Sequence, residues 1–317
     1  NGVTSGFAIM VAQCFGAKKF DRMRHYVAMS VYLCVIFALV MTVGFTLANE
    51  PILRMMNYSE EIMPSVKSYM GIIYMGLLVT IAYNALSAFL RALGDSRSPL
   101  YFLMISAAIN VILDIVFIVC MGMGVEGCAY ATVIAQAVSA VFCFVYIVKK
   151  YPILHLKKED FHFSWNSIGK LLGLGVPMAL QFSITAIGTI IVQGAVNVYG
   201  EIYMAGFSAA GKLQNIFTTV YVAFGATVAT YVGQNRGAGK IDRVREGVRC
   251  TQYMILAWSG IIMILMFFFG KYMTCIFVNP SQTDVIAVSV QYFRAVFWCY
   301  PFLGSIFLYR NTLQGMG

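Results

Sequence analysis

A chain of 317 residues that is 60% hydrophobic and 11% charged, with a mean hydropathy of +0.78, cannot be an ordinary soluble domain, in which about a quarter of residues are charged. It reads as a polytopic membrane protein. The net charge of +9 is explained by where the cations fall, so it calls for no nucleic-acid partner.

In chain order, residues 1–16 read as the tail of a span. Apolar runs long enough to cross ~30 Å of hydrocarbon follow at about 26–49, 66–90, 100–122, 127–148, 168–198, 202–235, 251–277 and 286–309. The expectation is therefore eight whole helical spans and one partial one. The run 202–235 is too long for an upright crossing and must tilt, bend or begin outside the hydrocarbon. Pro301, interior to its run, should kink it. The eight cysteines lie mostly within apolar runs, without CxxC spacing or a neighbouring His, and read as small core hydrophobes, neither disulfides nor metal ligands.

One stretch occurs twice. Residues 11–24 return as 232–245 with eight of fourteen positions identical at a constant offset of 221. Each copy ends an apolar helix at a Gly (Gly16, Gly237), passes through a basic turn, and opens the next run with Asp-Arg (Asp21-Arg22, Asp242-Arg243); Gln13 and Gln234 complete the motif. The Gly is expected to supply a φ > 0 stop and the Asp to cap the free N–H groups of the following helix. Farther on, residues 90–94 are echoed by 313–317 at an offset of 223, and Tyr69 by Tyr292. A period this long marks a duplicated half-protein rather than a solenoid. The offset sets Asn1 against Val222, so the chain reads as a fragment whose first half lacks a counterpart of roughly 166–221.

Lys and Arg give the orientation. The loops after residues 16, 90, 148 and 235 hold sixteen of them, the alternate loops only Arg54, Lys67 and Lys271. The positive-inside rule then puts both hairpins, at 17–25 and 236–249, in the cytoplasm of a cell-membrane protein. Residues 149–167 form a polar, amphipathic stretch containing His155, His162 and Trp165, which suit an interface better than a metal site. It divides the chain into an N-terminal lobe, 1–148, and a C-terminal lobe, 168–317.

The acidic residue deep in a span is Asp114, with Asn110 one turn earlier on the same helical face. A carboxylate near the bilayer centre costs about 2.5–3.5 kcal/mol on insertion scales, so it should face a partner, water or an ion. The other reading is that the pair glues helices together. In the second half the spans are polar but uncharged, through Gln181, Ser183, Thr185, Gln193, Asn197, Gln214 and Asn215. Gln181, Thr185 and Asn197 are the candidate lining of a substrate cavity, helix-to-helix hydrogen bonding being the alternative. Lys212 and Arg294 are read as snorkelling to an interface.

The duplicated hairpin, the L-R-A-L-G-D turn at 90–95, the G-x-E-G-C-A-Y-A-T stretch at 124–132 and the G-x-P opening at 175–177 together resemble the multidrug and toxic compound extrusion (MATE) antiporters over essentially the whole chain. The resemblance implies an all-α fold of two pseudo-symmetric six-helix lobes, with spans 2–6 in residues 1–148 and spans 7–10 in 168–317. It implies export of small organic cations by alternating access, coupled to Na⁺ or H⁺ and needing no other cofactor, by a monomer in the lipid bilayer. The family's N-lobe cation site uses an N-x-x-x-D pair in the fifth span, matched by Asn110 and Asp114, a Thr in the sixth, matched by Thr132, and an Asn in the fourth, matched by Asn84. Its remaining carboxylate belongs to the first span. Some members carry Glu in the seventh span where this chain has Thr185, and Asp in the tenth, where residues 285–317 hold no acid. Cation coupling is therefore expected in the first lobe. A flippase for lipid-linked saccharides or a passive channel are the alternatives on this architecture. An intramembrane enzyme would need a set such as HExxH or GxSxG, and neither occurs.

Overall fold

The computed structural model describes residues 2–55 and 60–317. They form eleven α-helices joined by short turns: α1 Gly2–Gly16, α2 Phe20–Met55, α3 Met63–Met75, α4 Leu77–Ala92, α5 Arg97–Ile115, α6 Gly124–Lys150, α7 Trp165–Asn197, α8 Glu201–Gly237, α9 Ile241–Thr274, α10 Thr283–Val296 and α11 Tyr300–Met316. Seven helical stretches are long and apolar enough to cross a membrane, and an eighth results if the bent pair α3–α4 counts as one span. α1 is a shorter apolar helix of 15 residues. The long run becomes α8, 37 residues or roughly 55 Å.

The residues up to Met178 pack as one compact unit and Ala179–Gly317 as a second. This division falls inside α7, one residue after Pro177, whereas the polar stretch 149–167 marked the division in the sequence. The reason is local. The polar stretch folds into two 3₁₀ turns, Pro152–Leu154 and Lys158–Phe161, that dock on the start of α2. Asp160, 7% exposed, accepts from Arg24 Nε at 3.2 Å and from the Lys157 backbone N–H at 2.7 Å. The two ring nitrogens of His25 contact the Asp160 carbonyl and the Ser167 hydroxyl, each at 3.0 Å. The first fourteen residues of α7 then belong to the same unit. There α1 and α7 cross at glycine: a Cβ on Gly6 would lie 2.6 Å from Gly175 Cα, so neither position admits a larger side chain without separating the helices.

The second unit packs α8 against α9, α10 and α11 through small residues and buried hydroxyls. A Cβ on Gly315 would lie 2.6 Å from the Ala229 carbonyl, and one on Gly206 would lie 2.7 Å from Val288. Ser289 Oγ donates to the Gly206 carbonyl at 2.8 Å, and the fully buried Tyr221 shares a 2.7 Å hydrogen bond with Ser259.

Both units break one span at the same place. α3 and α4 bend by 44° at Gly76, whose Cβ would lie 2.5 Å from Val133 Cγ2. α10 and α11 are parted by a 3₁₀ turn, Phe297–Cys299, with Pro301 in the first turn of α11. The offset of 223 carries Met75 to Trp298, so glycine in one half and proline in the other serve the same interruption.

The two hairpins are superimposable in their bonding, but the glycine assignment needs correction. Gly16 and Gly237 are the last helical residues, and the positive φ falls two residues later, at Lys18 (56°) and Gly239 (72°). Ala17 and Lys19 donate to the Gln13 and Cys14 carbonyls at 3.0 Å, as Ala238 and Lys240 donate to Gln234 and Asn235 at 3.0 and 2.8 Å. That bond pair puts the left-handed residue after the cap, where lysine is tolerated at a cost. Nor do the aspartates cap: Asp21 and Asp242 lie in the first turns of α2 and α9, and pair with Arg24 and Arg245 three residues on. They still favour the positive helix end. Arg22 and Arg243 are exposed.

Candidate functional site

α5 and α6 are antiparallel neighbours whose register is fixed by two hydroxyls. Ser106 Oγ donates to the Ala135 carbonyl at 2.5 Å, and Ser139 Oγ to the Phe102 carbonyl at 3.2 Å. Continuing this register one turn at a time puts Asn110 level with Ala131 and Asp114 level with Gly127. Ser106, Asn110 and Asp114 repeat every four residues, so the buried Ser106 identifies the α5 face that α6 covers. Thr132 thus stands one residue from the level of Asn110.

The polar groups at these levels of α5 and α6 are only partly satisfied. Among the described residues Asp114 Oδ1 and Asn110 Nδ2 are buried with no hydrogen-bond partner, and so is Oε1 of Gln136, one turn beyond Thr132. Thr132 Oγ1 donates to the Cys128 carbonyl at 2.9 Å, which leaves its own lone pairs free to accept. Leaving a buried polar atom unpaired costs about 1–3 kcal/mol, more when it is charged, so packing alone would select against this group. Gln136 was not foreseen from sequence; its spacing of four from Thr132 is the signal that could have found it. Two residues after Asp114 the helix widens into a π-turn, Val116–Cys120, closed by Met121 N–H to the Val116 carbonyl at 3.0 Å. Such turns recur at functional sites because they turn one residue out of helical phase. The turn is seated on Gly127, where a Cβ would lie 2.9 Å from Phe117 Cβ.

Asn84 is placed elsewhere. α4 packs on α6 but barely on α5, and Ile81, Ala85 and Leu86 share a cavity of about 690 Å³ with Phe144 and Ile147. Gly76 meets Val133, so Asn84, eight residues farther along α4, lies about two turns from Thr132. The second-half candidates are also dispersed along α7. Gln181 Oε1 accepts from Gln314 Nε2 of α11 at 2.8 Å. Thr185 and Asn197 are exposed, and their side chains bond within α7, to the Gln181 carbonyl at 2.9 Å and to Gln193 Nε2 at 3.0 Å. Lys212, exposed, sets its ammonium 5.6 Å from the Phe277 ring centroid, beside the turn after α9, and Arg294 is exposed.

The aspartate of the L-R-A-L-G-D turn is satisfied, in contrast to Asp114. Asp95 accepts from the Ser98 N–H and hydroxyl at 3.0 and 2.8 Å and from the Tyr146 and Tyr151 hydroxyls at 3.1 and 3.0 Å. Burial pushes its pKa up, but these four donors outweigh it and hold the carboxyl below the ordinary value. Burial and the neighbouring carboxylate together push the Tyr151 phenol up to about 12. This aspartate is a structural clasp joining α5 to the end of α6.

The sequence model of MatE matches residues 1–116 and 177–317. The chain belongs to the MatE family. It is 30% identical over 278 residues to the probable multidrug resistance protein YpnP of Bacillus subtilis, an alignment covering 86% of this chain and 60% of that protein. It is 22% identical over 318 residues to the FAD transporter of Shewanella oneidensis, covering 99% and 70%. The chain thus spans less than two thirds of the length of the first of these relatives. A crystal structure of a MATE protein in its bent conformation superposes with a TM-score of 0.91 at 19% identity, over all of this chain and 70% of that one, which establishes the shared fold.

Proposed function

We propose that this protein works as a secondary active transporter, exporting small organic cations in exchange for Na⁺ or H⁺ by alternating access, with Asp114, Asn110 and Thr132 as the coupling site. The observation that carries this reading is the buried Oδ1 of Asp114, which has no partner among the described residues, one turn from Asn110 on the same α5 face, with Thr132 of α6 near the level of Asn110. For Na⁺, the carboxylate would supply charge and the Asn110 carbonyl and Thr132 hydroxyl would supply neutral ligands. For H⁺, protonation would turn the orphaned oxygen into a donor. Either event removes a net charge from the span, and so biases the lobe between an arrangement that seals the site and one that opens it. The basic hairpins at 17–25 and 236–249 would face the cytoplasm. YpnP and the Shewanella protein differ in the cargo their names record, so membership alone does not fix the solute.

The test is efflux of ethidium, a permanent organic cation, from proteoliposomes holding the whole protein under an imposed inward Na⁺ gradient or pH gradient. Export that follows one gradient and stops when it is collapsed is the expected outcome. Movement that ignores both gradients and only dissipates the ethidium gradient would make the protein a passive channel.

A further inference from the structure

Arg310 lies within the span Thr283–Met316 and is passed over when charges are counted by loop. Its depth follows from α8. Gly225 faces Asn311, where a Cβ would lie 2.5 Å from Nδ2, and α8 runs twelve more residues, roughly 18 Å, to its end at Gly237. Arg310 is partly buried there, six residues before the end of α11.

Its surroundings are apolar or neutral. Cζ sits 4.5 Å from the centroid of the Phe307 ring, one turn back toward the helix N-terminus. Nε is buried with no acceptor, and among the described residues no carboxylate forms an ion pair with Arg310. A free acceptor is close by: Gln314 Oε1, one turn toward the C-terminus, is itself buried and unpartnered. The arginine stem is long enough to reverse its direction and reach the polar end of the helix, as a snorkelling residue does. Instead the head turns away from that end and from Gln314, deeper into the span.

The first half shows what a structural arginine does at this place. The offset of 223 sets Arg310 on Ser87 and Gln314 on Arg91, and Arg91 donates to Ser87 Oγ at 2.5 Å. In the second half the arginine occupies the acceptor's position, and an aromatic face replaces the hydroxyl. An arginine stacked on a ring with its terminal nitrogens unsealed keeps the planar fork that matches a carboxylate or phosphate.

We infer that Arg310 binds an acidic group, carboxylate or phosphate, carried by the organic solute that the protein moves. The inference deepens the transporter reading and rests on it for calling the ligand cargo. Asp114 and Arg310 then divide the labour, the carboxylate taking the coupling cation and the guanidinium taking the solute's anionic group.

The test is equilibrium binding to the whole protein in nanodiscs, with empty nanodiscs subtracted, of rhodamine B, which has a free carboxylate, and of its methyl ester, which lacks it. The wild type should bind the acid at least tenfold more tightly than the ester, Arg310→Gln should erase that preference, and Arg310→Lys should keep part of it by retaining the charge without the fork. Equal affinities in the wild type, a preference that survives Arg310→Gln, or loss of both ligands alike in both variants would overturn the proposal, the last because Arg310 would then hold the fold. Because binding is read without an ion gradient, this result can fail while gradient-driven ethidium export stands, and the converse.

Discussion

The two halves of the chain share their backbone devices and differ in their charges. The hairpins at 17–25 and 236–249 close with the same pair of hydrogen bonds, and the interrupted spans break at positions one offset apart. Yet the first unit buries an unpartnered carboxylate oxygen at Asp114, and the second turns a guanidinium, Arg310, onto a phenyl ring. Turns and breaks survive duplication because local geometry dictates them. Buried charges cost free energy wherever they stand, so a charge kept in one half and absent from its counterpart points to a task particular to that half.

The sharpest way to break the comparison is at the paired arginines. Arg24 and Arg245 are equivalent, but Arg24 is bonded to the buried Asp160, whereas Arg245 meets only the exposed Asp242 at 3.8 Å. Asp160→Ala should destabilise the first unit by about 1–3 kcal/mol, since Arg24 Nε and the Lys157 N–H lose their acceptor while Asp21 still pairs the guanidinium, and Asp242→Ala should leave the denaturation midpoint within error. Urea or SDS titration of the purified protein measures both. Equal effects would mean that the docked stretch 149–167 adds nothing to the first unit.

A smaller effect is expected at Asp95. Its carboxyl is held below the ordinary value, so its stabilisation is present above the unfolded pKa of about 3.9 and is lost as pH falls through the folded value. The wild-type midpoint should drop relative to Asp95→Asn as pH falls from 5 to 3, and parallel curves would remove the clasp from the account. Smaller again is the exchange of turn residues. Lys18→Gly should stabilise by roughly 1 kcal/mol by relieving a left-handed lysine, and Gly239→Lys should destabilise by about as much. Opposite signs of similar size would confirm that the hairpins are one structure written twice.

Much of this was legible in the sequence, for reasons visible in particular residues. Span number, the duplicated hairpin and the interruption just before Pro301 follow from hydropathy, repetition and a missing N–H. The positive φ was misplaced by two residues because sequence points to glycine, while the turn needs its left-handed residue after the cap, and the first copy puts Lys18 there. The docking of residues 149–167 was hidden because a polar stretch reads as a linker until Arg24 is seen to reach Asp160. Within the site, the four-residue spacing of Asn110 and Asp114 carried over to one helical face. Asn84 did not join them, because its place depends on how α4 lies against α6, and no spacing within one helix encodes that.

The central claim, that the carboxylate of the first unit couples transport to an ion, is tested most directly by Asp114→Asn in the whole protein. Ethidium export is measured in proteoliposomes at matched incorporation under the gradient that drives the wild type. The account predicts that gradient-driven export falls to the level of protein-free vesicles while the variant remains folded, because the amide keeps the shape and removes the exchangeable charge; Asn110→Ala and Thr132→Ala should each retain part of the rate. Wild-type export by Asp114→Asn would contradict it and leave Asp114 as a residue that only joins α5 to α6.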